Sequence, residues 1–310
     1  MLVRSDGLLI GQPAHAWVSG QLARAWGNEA FPPPVPREPF CLAAEQHDVG
    51  WADADLEPIA GADGRPLSFA RIPRPAHVAI WRGAARRMLA QSRYAALLVS
   101  LHGTSLYSRT DADAEPPDVR AAILDYRGAE RELQARLSAG LDPGEVDRNR
   151  RLLLALDRLS LALCHEWDTT LEDVPAASGP ATIGVAPAGE GTAAPPDPGL
   201  RDDRAVPPDA AVPDDRAAPP DAALRDDRAV PPDAAVPDDR AAPPGAGVRD
   251  DRAVPPDAAT VRFALDPWPF GAGLVVVGCE ARRLDGLRDD LGAALAAAPW
   301  VPLRFELSPG

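Results

Sequence analysis

Lysine is absent from this 310-residue sequence, and cysteine, tyrosine and phenylalanine are scarce. Arginine therefore supplies every basic side chain apart from histidine, in a chain whose formal net charge is −14. An acidic chain without a basic stripe argues against nucleic acid or an anionic membrane as the main partner, because both are bound through clustered positive charge. We expect a small-molecule partner, and the sequence leaves the oligomeric state open.

Disulfides, a signal peptide and a membrane span are also not indicated. The three cysteines, Cys41, Cys164 and Cys279, are widely spaced and form no C-x-x-C pair, which is typical of reduced thiols in the cytosol. The N-terminal sequence lacks an apolar stretch of signal-peptide length, and no apolar run could span a bilayer. The sequence predicts a cytoplasmic protein, and its richness in Ala, Pro, Gly and Arg indicates a GC-rich bacterial genome.

A proline-rich repeat divides the chain. The unit "LRDDRAVPPDAAVPDDRAAPPDAA" begins at Leu200 and returns at Leu224 and, degraded, at Val248. Paired prolines every twelve residues block helices and remove the N–H donors that a sheet needs. We interpret residues 176–258 as a disordered linker inserted into one domain. A calcium-binding acidic repeat is the alternative, but the spacing has no EF-hand pattern.

The remaining sequence predicts an α+β fold. Residues 1–175 form a mainly helical body, and residues 259–310 form a β-rich block that completes the same domain with a small, mostly antiparallel sheet. The opening "MLVRSDGLLI" could pair with that sheet. The predicted helices cover about 13–27, 39–48, 75–92, 116–140, 142–168 and 284–298.

Asp157 is the first candidate functional residue. It lies at the centre of an apolar helical stripe with Leu153, Leu161 and Cys164. A carboxylate that faces a core without a partner costs several kcal/mol, so Asp157 needs a cation. Arg150, seven residues earlier and on nearly the same helical face, is one candidate partner.

Histidines at core-facing positions are a second kind of candidate functional residue. His15 lies on an apolar helical stripe, and His47 and Asp48 stand next to each other just before Gly50, where the end of a helix would let both reach one ion. Imidazole and carboxylate suit Fe, Mn, Zn or Co, and helical bundles hold such ions between them. A divalent metal would explain this set, whereas a single core histidine is more often just hydrogen-bonded.

"HDVGW" resembles the HDxG signature of the HD superfamily of metal-dependent phosphohydrolases, and "LLALDRLSLALC" resembles the helix of its final aspartate. The resemblance implies an HD-like bundle with His15, His47, Asp48 and Asp157 as metal ligands. It also implies that Asp48 could orient the attacking water. In dinuclear members two further histidines bind a second metal, and their counterparts here are His77 and His102. His102 would bind that second ion or the leaving oxygen.

Four segments, "QPAHAWVSGQLARAWG", "AAEQHDVGW", "LLVSLHGTSLY" and "LDPWPF", resemble the bacterial domain-of-unknown-function family 3891. The likeness covers both blocks, skips the repeat and implies no particular activity. Many HD phosphohydrolases carry Gly-Lys after the His-Asp pair, and here Trp51 replaces the lysine. The arginines that would contact a phosphate in its place are Arg71, Arg74, Arg82 and Arg86.

Other polar residues near these motifs carry weaker signals. We expect His165 at the surface, and Asp53 and Asp55 as exposed loop acids unless one of them orients a ligand. The sequence contains no nucleophile elbow, Walker loop or dinucleotide fingerprint.

The sequence therefore predicts a metal-dependent hydrolase that cleaves a phosphoester with a metal-activated water. Its substrate would be a small, phosphorylated molecule. An HD-like dinuclear iron oxygenase and a non-catalytic binding or scaffold protein are the alternatives.

Overall fold

The computed structural model describes residues 1–108, 110–188, 260–284 and 290–310, which form an α+β fold as the sequence predicts. The helices are α1 Gln12–Ala25, α2 Arg37–Gln46, α3 Ala52–Leu56, α4 Arg74–Arg82, α5 Ala84–Met88, α6 Arg93–Leu106, α7 Pro117–Leu137, α8 Pro143–His165 and α9 Leu291–Ala297. The strands are β1 Leu2–Val3, β2 Leu8–Ile10, β3 Thr169–Ala176, β4 Gly179–Pro187, β5 Thr260–Asp266, β6 Val275–Arg283 and β7 Trp300–Pro309.

These strands form one seven-stranded sheet in the order β1-β2-β6-β7-β5-β4-β3. β5 and β7 run parallel and the other neighbouring pairs run antiparallel, so the sheet is mostly antiparallel. The N-terminal strand β2 pairs with β6, as the opening sequence suggested. Helix α1 packs on β6 and helix α8 on β3, which places the hydrophobic core between helices and sheet.

The sheet is larger than predicted, and the predicted linker begins too early. Residues 179–187, assigned to the linker, form β4, which pairs with β3 and β5. Ile183 and Val185 are buried while Thr182 and Ala186 are exposed, which is the alternation of a half-buried strand. The surrounding proline and alanine obscured this short pattern. The rest of the predicted linker, 189–258, lies outside the described residues.

The helices begin and end where local sequence dictates. Helix α8 starts at an Asp142 side chain that accepts a hydrogen bond from the Glu145 N–H at 2.7 Å, with Pro143 in the first turn. It ends at Glu166, whose φ of 60° is left-handed. The single helix predicted over 75–92 is two helices, α4 and α5, which are separated at Gly83.

Helices α1 and α2 approach closely because of Gly20. A Cβ atom on Gly20 would lie 2.6 Å from Glu45 Cβ and 2.9 Å from Glu45 Cα. Only a residue without a side chain fits at such a separation. This contact sets the distance between the N-terminal helix and the chain that follows α2.

The two ends of the 189–259 segment are adjacent. The Ala188 N–H donates to the Arg262 carbonyl at 2.7 Å, and Pro187 is paired with Phe263. β4 and β5 are antiparallel neighbours, so the segment connects them in the position of a hairpin loop.

We expect deletion of residues 195–258 to preserve the fold. The seven residues left between Ala188 and Thr260 can close an antiparallel pair, and shortening a loop tenfold changes its closure entropy by only about 2 kcal/mol, in favour of folding. Thermal unfolding followed by circular dichroism shows whether the deletion variant keeps a cooperative transition. A loss of the cooperative transition in the deletion variant would contradict the prediction.

Among the residues that the structure describes, no helix is long and apolar enough to cross a membrane. Cys41, Cys164 and Cys279 are buried and are not joined in disulfides.

Candidate metal centre

The His-Asp pair lies where helix α2 ends. α2 stops at Gln46, Asp48 leaves helical geometry with φ −101° and ψ 20°, and a 3-10 turn follows over Val49–Trp51. The break that the sequence predicted before Gly50 is therefore present. It allows two consecutive side chains to face inward, with His47 0% and Asp48 4% exposed.

Five of the predicted site residues meet in one buried cluster. His15 on α1 places Nε2 2.6 Å from Asp48 Oδ2. His47 Nε2 lies 3.7 Å from the same oxygen and 3.3 Å from Oδ1 of Asp157 on α8. His102 on α6 places Nε2 3.9 Å from Asp157 Oδ2. Three imidazoles and two carboxylates thus converge from four parts of the helical body.

Two of these imidazoles are oriented by a contact at Nδ1, the ring nitrogen that is not the one closest to the carboxylates. His47 Nδ1 lies 2.8 Å from the Ala44 carbonyl oxygen, and because a carbonyl only accepts, Nδ1 carries the proton. Nε2 of a neutral His47 is then a lone pair that faces the carboxylates. His15 Nδ1 lies 2.9 Å from Ser160 Oγ, so its Nε2 likewise points to Asp48.

The cluster shifts the pKa values of its members in opposite directions. Burial alone would lower the pKa of His47, but Asp48 and Asp157 outweigh it and raise the pKa to about 9. Burial would raise the pKa of both carboxyls, but the neighbouring histidines hold them below their usual range. Burial, followed by the charge of His47, lowers the pKa of His102 to about 4. The metal-free cluster is therefore an ion-pair network that includes a neutral His102.

The donor set fits a divalent metal ion. His15, His47 and Asp48 form one group whose ligand atoms lie within 4.8 Å of one another, and His47, His102 and Asp157 form a second. Nε2 of His47 and Nδ1 of His102 are buried without a hydrogen-bond partner in the described part of the chain. Imidazole nitrogen and carboxylate oxygen suit Fe, Mn, Zn or Co, and the donors alone do not select among them.

His77 does not join this cluster, although the sequence offered it as a ligand of a second metal. Its Nδ1 is hydrogen-bonded to the Tyr107 hydroxyl, and its Nε2 lies 3.4 Å from the Trp81 indole N–H. Both ring nitrogens are thus occupied, in an aromatic pocket that also includes Trp51. Burial, followed by the charge of Arg74, lowers the pKa of His77 to about 4.

The arginines suggested for phosphate binding differ in position. Arg82 is exposed and pairs with Asp125 at 2.6 Å, and Arg71 and Arg86 are also exposed. Arg74 is partly buried and lies 3.3 Å from Glu115. Of the four, Arg74 is the one whose charge acts on the His77 and Tyr107 pair.

The acids after the His-Asp pair have other partners. Asp55 is not an exposed loop acid, because its carboxylate lies 2.7 Å from the Met1 ammonium and accepts from the Gln12 N–H. Asp53 is exposed and pairs with Arg87. His165 is partly buried and stacks on Trp167 with ring centroids 4.0 Å apart.

Sequence reasoning missed Ser19 and Ser160. Both are fully buried, and Ser160 Oγ contacts His15, Ser19 and the Asp157 carbonyl. The available signal was spacing, since Ser160 follows Asp157 by three residues and so lies on the same helical face.

No curated protein and no solved structure matches this chain. One protein family does, over residues 1–286, and its description is "Protein of unknown function (DUF3891)". The match includes all the residues of the cluster and extends past both ends of the 189–259 segment. The chain therefore belongs to the DUF3891 family.

Proposed function

We propose that this protein is a metal-dependent hydrolase that cleaves a phosphoester of a small molecule with a water nucleophile. The observation that carries the proposal is the meeting of three imidazoles and two carboxylates in one buried cluster. Burial of two carboxylates is costly unless cations compensate them, which favours a metal at this position.

His15, His47, Asp48 and Asp157 would hold the metal in an HD-like arrangement. Support comes from their order along the chain, which is His, His-Asp and a late helical Asp, together with their convergence in space. A bound divalent ion would polarise a phosphoryl oxygen and make water a nucleophile near neutral pH.

The side chains around the cluster suggest how a substrate would bind. Asp157 is its most accessible member, with 15% of the side chain exposed, so a substrate would approach from that side. His102 is neutral, and its Nε2 faces the cluster 3.9 Å from Asp157 Oδ2, so this nitrogen would contact the leaving oxygen. Asp48, held between His15 and His47, would orient the water.

A dinuclear iron oxygenase is a second candidate, favoured by one observation. The two groups of possible ligands together contain five donor residues, but the one free nitrogen of His47 binds a single ion, so a second ion would depend on carboxylates shared between the two positions. Because His77 is hydrogen-bonded elsewhere, the second position would rest on His102 and Asp157.

Elemental analysis of the purified full-length chain tests both candidates. We expect one or two transition-metal ions per chain, and turnover of an aryl phosphate that falls to background after chelation and returns on adding Mn²⁺, Co²⁺ or Zn²⁺. Two irons per chain with oxygen uptake and no phosphatase activity would replace the hydrolase with the oxygenase. A chain that neither retains nor takes up metal would overturn both and favour a non-catalytic binding or scaffold protein.

A further inference from the structure

Ser160 contacts Nδ1 of His15, while the other ring nitrogen, Nε2, contacts Asp48. It belongs to α8, three residues after Asp157, and its side chain is completely buried. Its Oγ lies 2.9 Å from His15 Nδ1, 2.9 Å from Ser19 Oγ and 2.8 Å from the Asp157 carbonyl oxygen. One hydroxyl therefore links α1 to the helix that carries Asp157.

The hydrogen atoms of these groups can be arranged so that every contact is satisfied. If the Ser160 O–H donates to the Asp157 carbonyl, the two lone pairs of Oγ accept from the Ser19 O–H and from His15 Nδ1–H. His15 then has an unprotonated Nε2 that faces Asp48. A neutral lone pair pointed at a carboxylate at 2.6 Å is favourable only if one cation binds to both atoms.

A second arrangement satisfies the same atoms without a cation. His15 carries its proton on Nε2 and donates to Asp48, while the Ser160 O–H turns from the Asp157 carbonyl to His15 Nδ1. The imidazole is neutral with one N–H in both arrangements. His47 has no such freedom, because the partner of its Nδ1 is the Ala44 carbonyl, which cannot donate.

We infer that Ser160 is a positioning residue that lets His15 alternate between two neutral tautomers, one facing a metal and one bonded to Asp48. His15 is thus the adaptable ligand of the centre and His47 the fixed one. This inference rests on the proposed metal centre and adds the role of a residue outside the ligand set.

The tautomer of His15 can be observed directly in the wild-type chain by ¹⁵N NMR of the imidazoles, with and without Zn²⁺. We expect His15 to carry its proton on Nε2 without metal and on Nδ1 with Zn²⁺, while the Nδ1–H of His47 is present with Zn²⁺. A Zn²⁺-loaded His15 with its proton on Nε2 would overturn the inference. This measurement needs no variant.

Ser160→Ala gives the energetic test. It removes the hydrogen bond to His15 Nδ1 and leaves Asp157 Oδ1, 3.9 Å away, as the nearest recorded polar atom. Loss of a hydrogen bond to the second nitrogen of a metal-binding histidine lowers metal affinity roughly 10–100-fold. Ser160→Thr keeps the hydroxyl and should restore most of the affinity. Ser100→Ala is the matched control, because Ser100 is equally buried but donates to Glu130 on α7.

The outcomes separate this inference from the proposed function. Zn²⁺ affinity of Ser160→Ala within about twofold of wild type would overturn the role of Ser160 and leave the metal centre intact. An equal loss in Ser160→Ala and Ser100→Ala would show a general effect of core damage and would also overturn it. No Zn²⁺ binding by wild type would overturn the proposed function itself.

Discussion

Replacing His47 with alanine is expected to lower divalent-metal affinity on the order of 100-fold. Protein zinc sites bind with roughly 10–16 kcal/mol spread over four ligands, so one ligand contributes about 3 kcal/mol. His47 belongs to both groups of possible ligands, so its loss affects every way of filling the centre. Titration with Zn²⁺ or Co²⁺ gives the affinity, and turnover of an aryl phosphate should fall with it.

The same substitution should destabilise the metal-free chain. Asp48 and Asp157 are held ionised largely by His47, and removing one partner of a buried ion pair costs about 3 kcal/mol or more. His47→Gln keeps volume and a donor, so it should lose metal affinity with less loss of stability. His165→Ala, at the C-terminal end of α8, is the control, because His165 stacks on Trp167 outside the cluster. Metal affinity of both His47 variants equal to that of His165→Ala would contradict the assignment.

Gly50→Ala is expected to destabilise the protein by about 3 kcal/mol, near the upper end of the usual effect of overpacking. A Cβ atom on Gly50 would lie 2.5 Å from the Ile80 carbonyl oxygen and 3.2 Å from Ala84 Cβ. Since the first of these is backbone, relief requires moving α4 away from the turn that carries His47 and Asp48. Thermal unfolding should shift down by roughly 6–12 °C for a domain of this size, and metal affinity should fall as well.

Gly83→Ala provides a matched comparison for that substitution. Gly83 lies between α4 and α5, has φ −104°, and no atom lies within 4 Å of a Cβ built on it. Gly83→Ala should leave the free energy of unfolding unchanged or raise it by less than about 1 kcal/mol. If Gly50→Ala behaved like Gly83→Ala, close packing would not be the reason for glycine after the His-Asp pair.

Much of the cluster was predictable because its members obey helical periodicity. Asp157 lies on a stripe of leucines and His15 on a stripe with Val18 and Leu22, so each had to face the core. The adjacency of His47 and Asp48 before a glycine indicated a helix end. Each of these features depends on residues within a few positions of one another, so the sequence alone could predict it.

What the sequence could not predict depends on contacts between distant segments. His77 also lies on a helix near the cluster, but its ring nitrogens bond Tyr107 and Trp81, and no spacing rule distinguishes that outcome from metal ligation. Asp55 meets the Met1 ammonium across 54 residues of sequence. β4 pairs on one side with β3, two residues before it, and on the other with β5, more than 70 residues further along the chain, and only the second pairing lay beyond local sequence.

The strand order has a consequence for how the chain folds. The helices that bear the cluster are complete by His165, but β2, which leads into α1, pairs with β6, and β7 lies between β6 and β5. During synthesis the helices that bear the cluster therefore emerge long before the strands that cover their apolar faces. Pairing of β2 with β6 spans some 270 residues, and such long-range contacts slow folding. The helical body should accordingly pass through a partly folded intermediate that is exposed to chaperones and proteases until β6 and β7 are made.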